Sequence, residues 1–252
     1  MPETAAASAD DQTSAQAIAD RLRQVEERIA AACERAGRDR DEITLVAVSK
    51  TFPPAAIRAA REAGLSRFGE NRARELRDKA REQPGAFGGG AEGFEWHMVG
   101  HLQRNKAKFV ARHADVFQAL DSPRLADELD KRAAKNDRTL PCLVQTNVTG
   151  AEQKYGLAPE DTHAFLDELA SREHLRVQGL MAMASFSGED DVVRGQFRRM
   201  HELFDSYDAS DNPQVEMSCL SIGMSNDFEI AVEEGATMLR LGSALFGPRD
   251  YD

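Results

Sequence analysis

The chain has no apolar run that approaches the roughly 18 residues a membrane-spanning helix needs. It also lacks the positive start and apolar core of a secretory leader: residues 1–14 are rich in alanine and acidic side chains, so a cytoplasmic location is expected. Cysteine is scarce. Cys33, Cys142 and Cys219 are far apart and odd in number, which argues against a disulfide framework and fits no thiolate metal site. Buried, reduced thiols are expected instead. There is no G-x-G-x-x-G or Walker-type loop: Gly88-Gly89-Gly90 has no Lys-Ser/Thr after it and reads as flexible linker. The histidines at 101, 113, 163, 174 and 201 show no H-E-x-x-H spacing, so no metal site is expected. Basic residues are outnumbered, 32 against 43 acidic, for a net charge of −11. That argues against the basic stripe of a nucleic-acid binder. Any anionic ligand must then be held locally, by backbone amides and one or two cations.

What is present is a repeat of short apolar runs and amphipathic segments. The length, 252 residues with 41% apolar side chains, suits one α/β barrel, which takes ~250 residues. Residues 1–13 are expected to be a disordered tail and residues 14–252 a single domain. A helix over 14–36 is predicted from Ile18, Leu22, Val25, Ile29 and Ala32, with Gly37 as its stop. Eight strands are predicted at 43–48, 66–69, 95–99, 116–120, 140–148, 175–182, 215–220 and 237–241. Helices are predicted after them at 53–63, 70–83, 103–112, 122–135, 159–171, 190–207, 226–234 and 243–246, with Ser122 capping the fourth. The stretch 84–93 is Gly-rich without period and reads as an exposed loop. Eight strand–helix units imply a closed parallel (β/α)8 barrel with an extra N-terminal helix. A doubly wound open sheet is the alternative.

In such a barrel, chemistry sits at the C-terminal strand ends. Lys50 ends the first strand, Val46-Ala47-Val48-Ser49-Lys50. Desolvation there lowers an amine's pKa, and a neutral amine attacks a carbonyl to form an imine; a merely solvated lysine is the plain alternative. Ser221-Ile222-Gly223-Met224-Ser225-Asn226-Asp227 follows the seventh strand, and Arg240-Leu241-Gly242-Ser243 ends the eighth. Loops after strands seven and eight frequently bind phosphate, with Gly223 and Gly242 admitting the anion and Ser225 and Ser243 donating to it. Ordinary helix capping is the competing reading. Arg240 adjoins the first strand in a closed barrel and so lies beside whatever Lys50 binds. Asn71, in Phe68-Gly69-Glu70-Asn71, offers a polar contact. His97 either faces the ligand or packs within the barrel. Met181 reads as core.

These segments, with Ala47-Val48-Ser49-Lys50-Thr51, Trp96-His97-Met98-Val99-Gly100-His101-Leu102-Gln103-Arg104-Asn105-Lys106, Gly179-Leu180-Met181-Ala182 and Arg240 to Gly247, resemble the pyridoxal phosphate homeostasis protein family, single-domain relatives of alanine racemase. The resemblance runs from about Ser14 to Tyr251. It implies a fold-type III barrel with pyridoxal 5′-phosphate held as a Schiff base on Lys50, phosphate contacts from Met224-Ser225 and Gly242-Ser243, and Arg240 near the pyridine nitrogen. A cation there keeps that nitrogen unprotonated and weakens the ring as an electron sink. The expected cofactor contacts are thus Lys50, Asn71, His97, Gly223, Met224, Ser225, Arg240, Gly242 and Ser243, with no catalytic residue among them. Phe52 departs from the family pattern, where a basic residue is common; Ser243 replaces a common threonine; and the loop 84–93 is longer than usual.

Two functions follow from the resemblance. One is a carrier that stores, delivers or buffers the cofactor, in transient contact with pyridoxal-phosphate-dependent apo-enzymes. The other is an amino-acid racemase. Racemisation needs an acid or base on each face of the substrate carbon. In the alanine racemase relatives the second is a tyrosine from another subunit, near its extra β-domain. Here the chain ends nine residues after Ser243, and Tyr155, Tyr207 and Tyr251 have no obvious route to the site. The carrier reading is favoured, as a monomer, with neither nucleic acid nor membrane as partner. A phosphorylated-sugar enzyme on the same barrel is a third reading, which leaves Lys50 and Arg240 without a joint role unless Lys50 forms an imine with a sugar carbonyl.

Overall fold

The computed structural model describes residues 13–85, 94–185 and 189–248. The expected disorder of 1–13 and the Gly-rich stretch 84–93 thus fall almost wholly outside the described residues. In chain order the elements are α1 (Ala15–Ala36), β1 (Thr44–Val48), α2 (Pro54–Glu62), β2 (Arg67–Glu70), α3 (Ala73–Glu82), β3 (Glu95–Met98), α4 (Ala107–His113), β4 (Val116–Leu120), α5 (Pro123–Ala134), β5 (Leu140–Gln145), α6 (Pro159–Glu168), β6 (Leu175–Met181), α7 (Asp190–Asp205), β7 (Val215–Ser221), α8 (Phe228–Glu233), β8 (Met238–Leu241) and α9 (Ser243–Phe246). The strands pair in sequence order, and β8 pairs with β1, so the sheet closes into a barrel. An open doubly wound sheet is thereby ruled out. Among the described residues no helix is long and apolar enough to cross a membrane.

Local chemistry explains the elements. The Ser14 hydroxyl accepts the Ala17 N–H and starts α1. Gly37, at φ 66°, ends it: Arg38 N–H reaches Cys33 O and Gly37 N–H reaches Glu34 O. The apolar stripe Ile18, Val25, Ile29, Ala32 and Cys33 is buried where α1 lies against α2, α8 and α9 on the outside of the barrel. Each of its large side chains contributes roughly 1.5–3 kcal/mol of burial. Prolines open α2, α5 and α6, where the missing N–H costs nothing. Strand β6 bulges toward β7 at Gly179, φ 146°; a Cβ there would lie 2.0 Å from Cys219 O.

Three boundaries and one cap differ from expectation for identifiable reasons. Glu70 belongs to β2 rather than to a helix, because it pairs with Met98 and sends its carboxylate into a buried ion cluster. Strand β5 stops at Gln145 because the chain loops out and returns, Thr146 bridging to Leu157. Residues 104–106 form a separate 3-10 turn before α4. Ser122 stands at the head of α5 but makes no cap bond; its hydroxyl turns to Asp121.

Between β2 and β3 and the helices outside them, Phe68, Phe94 and Trp96 form one ring cluster with centroids 5.2–5.9 Å apart. Trp96, the single tryptophan, is fully buried and donates Nε1–H to Gln83 O at 2.8 Å. Replacing it by alanine is expected to cost about 3–5 kcal/mol of stability. Chemical denaturation followed by circular dichroism checks this, and a loss under about 1 kcal/mol would mean the cluster is not the core it appears geometrically.

Candidate functional site

The C-terminal strand ends surround a cavity of about 650 Å³. Its wall includes Val48 and Lys50 after β1, Asn71 after β2, Val99 after β3, Gln145 on β5, Met183 after β6, Met224 and Ser225 after β7, and Arg240, Gly242 and Ser243 on and after β8. Seven of the nine residues singled out by sequence therefore meet on one cavity. Gly223 and His97 are not among the lining residues.

Gly223 acts from behind the wall. Its φ is 90°, and a Cβ there would sit 2.5 Å from the Ala231 Cβ, so only glycine lets the turn close onto α8. The turn is pinned by Asp227, whose Oδ1 accepts the Met224 N–H at 2.5 Å. Burial pushes the Asp227 carboxyl up, against the pull of that N–H and of Arg240. The Met224 N–H is thus engaged within the turn. Gly242 N–H and Ala244 N–H converge on Ser225 Oγ, each at 3.2 Å. The two amides thus hold the Ser225 hydroxyl at the corner where an anion is expected.

Arg240 is buried among carbonyls rather than carboxylates. Its Nη1 donates to Ser221 O at 2.7 Å and Ser221 Oγ at 2.6 Å, and its Nη2 to Ala182 O at 2.8 Å. Burial lowers its pKa to about 10, which leaves it charged at neutral pH. A guanidinium on a cavity wall, with no carboxylate touching it among its hydrogen-bond partners, presents positive charge to a ligand.

Lys50 stands on a turn that a buried ion cluster holds in place. Thr51 has φ 71°, unusual for a non-glycine, and its N–H is captured by Glu75 Oε1 at 2.6 Å. Lys79, buried on α3, donates Nζ to Ser49 O, Glu70 Oε1 and Glu75 Oε1, each at 2.8 Å. Ser49 Oγ adds a 2.6 Å bond to Glu70 Oε1. Both contacts to Glu70 fall on its Oε1, while its Oε2 is buried without a hydrogen-bond partner. Burial therefore raises the Glu70 pKa to about 7 despite Lys79 beside it.

His97 lies one layer below Val99 and its ring is fully buried. It does not reach the cavity, because its two ring nitrogens face Gln118 and Glu95. Two aromatic residues escaped the sequence reading. The loop between β5 and α6 is cinched at its neck by Asn147 N–H to Leu157 O and Leu157 N–H to Gln145 O, which brings Tyr155 to the cavity wall, contrary to the expectation that no tyrosine has a route there. Its ring stacks on His101, centroids 3.7 Å apart and 7° from parallel. Only the Tyr-Gly before the helix signal hinted at this turn. Asp190, the first residue of α7, also lines the cavity. Phe52, the departure from the family pattern, stacks on Phe246 at 4.9 Å.

This is a closed parallel barrel with a lysine just after its first strand and a buried arginine on its last, and comparison with known proteins gives it a family. Residues 14–250 match the model of the alanine racemase N-terminal domain. A pyridoxal phosphate homeostasis protein of Aquifex aeolicus is 40% identical over 232 residues, 92% of this chain and 98% of its own. The structure of PipY from Synechococcus elongatus with pyridoxal phosphate bound matches with a TM-score of 0.73 at 33% identity, over 91% of this chain and 100% of that one. Alanine racemase from Corynebacterium glutamicum shares the fold, with a TM-score of 0.65 at 17% identity, over 94% of this chain and 62% of that one. The chain belongs to the pyridoxal phosphate homeostasis proteins, within the alanine racemase N-terminal domain family.

The cluster behind Lys50 makes a pH prediction. The ordinary Glu pKa of 4.5 is raised to about 7 in the fold. Between those values the folded chain retains a proton that the unfolded chain has lost, so this group's contribution to stability is present below about 4.5 and lost as pH rises to about 7. Glu70→Gln removes that titration. The stability of wild type relative to Glu70→Gln is expected to fall by on the order of 1–3 kcal/mol from pH 4.5 to 7.5, measured by denaturation at both pH values. A pH-independent difference would contradict the burial of this carboxyl.

Proposed function

We infer that this protein binds pyridoxal 5′-phosphate and serves in its homeostasis, with the cofactor held as a Schiff base on Lys50. One observation carries the reading: Lys50, Arg240 and the donors around Ser225 and Gly242 open onto one cavity in a chain of this family. The residues fit the group. The corner of Ser225, Gly242 and Ala244 suits a phosphate dianion, Arg240 suits the pyridine nitrogen, and Lys50 suits the aldehyde carbon. When bound, the cofactor supplies an aldehyde for imine formation and an electron-withdrawing ring. Lys50 in its neutral form provides the attacking nitrogen. Arg240, always a donor, leaves the ring nitrogen unprotonated and so limits carbanion chemistry. Asn71 adds a polar edge, and Gly223 and Met224 shape the phosphate turn.

Carrier is preferred to racemase even though Tyr155 lines the cavity. Its ring lies flat on His101 and is 56% exposed, a hydrated position rather than that of a base poised over a substrate carbon. In this reading the protein is a cytoplasmic monomer that hands the cofactor to apo-enzymes.

Purified protein mixed with pyridoxal phosphate is expected to develop the visible absorption of an imine. Borohydride reduction and peptide mapping should place the adduct on Lys50, and Lys50→Ala should abolish the band. A protein that stays colourless overturns the reading. Substantial, Lys50-dependent racemisation of alanine or serine would replace carrier with enzyme.

A further inference from the structure

Barrel interiors are usually filled by Val, Ile and Leu. Here a chain of polar side chains crosses the interior beneath the cavity. Arg240 on β8 donates Nη1–H to Ser221 Oγ on β7 at 2.6 Å. Ser221 Oγ and Gln118 Oε1, on β4, are 2.8 Å apart. Gln118 Nε2 lies 2.8 Å from His97 Nδ1 on β3 and 3.2 Å from Met238 Sδ. His97 Nε2 lies 3.3 Å from Glu95 Oε2, which also accepts Arg67 Nε–H at 3.0 Å. His97, Gln118 and Ser221 are all fully buried.

The direction of every bond is fixed from one end. Arginine only donates, so Ser221 Oγ must accept from it. The single hydroxyl hydrogen of Ser221 then goes to Gln118 Oε1. That turns the amide nitrogen of Gln118 toward His97, so Nδ1 is an acceptor and Nε2 carries the hydrogen toward Glu95. The carboxyl of Glu95 is held below the ordinary range by His97, with Arg67 adding to the effect. The chain thus runs from a buried cation at the cavity to a carboxylate at the opposite mouth of the barrel. A member that loses its acceptor releases the next one, up to the guanidinium.

We propose that His97 is a positioning residue for the cofactor, acting through Gln118 and Ser221 to fix the plane in which Arg240 meets the pyridine nitrogen. The proposal rests on the cofactor reading above. It gives the histidine of the Trp96-His97-Met98 segment a role at the site without contact with the ligand.

Two replacements separate this role from packing. His97→Asn places an amide oxygen close to where Nδ1 stood and keeps an acceptor for Gln118. His97→Gln reaches toward Glu95 instead and leaves Gln118 Nε2 without its acceptor. Titration with pyridoxal phosphate, read by imine absorbance, is expected to show His97→Asn close to wild type. His97→Gln should bind about tenfold more weakly, the loss expected when a buried donor is stranded. Ser221→Ala cuts the same chain at its other end and should weaken binding similarly. The double variant His97→Gln with Ser221→Ala should be no weaker than the worse single one, because both break one chain. Borohydride trapping on Lys50 should persist in all variants, and thermal melts confirm that each is folded. Equal binding by folded His97→Asn and His97→Gln, or multiplicative losses in the double variant, overturns the proposal while leaving the cofactor reading intact. Wild type that forms no imine ends both.

Discussion

The pairing of β1 with β8 is the contact on which the site depends. Val46 stands opposite Arg240, and Ala47 opposite Leu241, so the first and last strands become neighbours. Without that closure Lys50 would face neither Arg240 nor the corner of Ser225 and Gly242. The cost is entropic: the ends of a long chain must meet before any contact at the seam rewards them. Helix α1 reinforces the seam from outside. Arg38 donates to Val232 O and Ala236 O, and Arg28 and Arg35 pair with Glu229 and Glu233. The exposed pairs contribute little each; the two carbonyl bonds of the half-buried Arg38 and the apolar stripe beneath do more.

Around this seam the barrel carries polar groups where an apolar core would pack with less risk. Behind Lys50 sits the Glu70–Lys79–Glu75 cluster, and beneath Arg240 the chain to Glu95. Buried ionic groups are weak sources of stability, because desolvation offsets the Coulomb gain. Their value here is geometric. The cluster holds a strained Thr51, and with it the direction of Lys50; the carbonyls of Ala182 and Ser221 hold Arg240. Departures from good packing gathered behind the two side chains proposed to hold the cofactor are what a site demanding fixed angles produces.

The sequence was most legible where physics is local. Short apolar runs marked the strands, prolines and serines marked helix starts, and the rule that chemistry sits at C-terminal strand ends singled out Lys50, Ser225, Arg240 and Gly242. What stayed hidden depended on the third dimension. Tyr155 reaches the cavity only because a loop neck closes at Thr146 and Leu157. Gln118 looked like any polar residue in a strand, and Ser221 like the start of a phosphate motif. That they touch across the interior follows from strand tilt and stagger, which no spacing along the chain reveals. His97 illustrates both sides: packing within the barrel was one of the two readings open to it, a cofactor contact was the one the resemblance implied, and its partners were not readable.

The one-way order of the interior chain has a consequence for how such a barrel drifts over time. Ser221 has one hydrogen and Gln118 one amide to turn, so no single member can change its hydrogen-bonding character alone without stranding a neighbour. A change at Gln118 or His97 that alters what the side chain donates or accepts must come in matched steps, an acceptor exchanged together with the donor that serves it. Within this fold those positions are coupled to one another, whereas an apolar neighbour can exchange for another of similar volume one residue at a time.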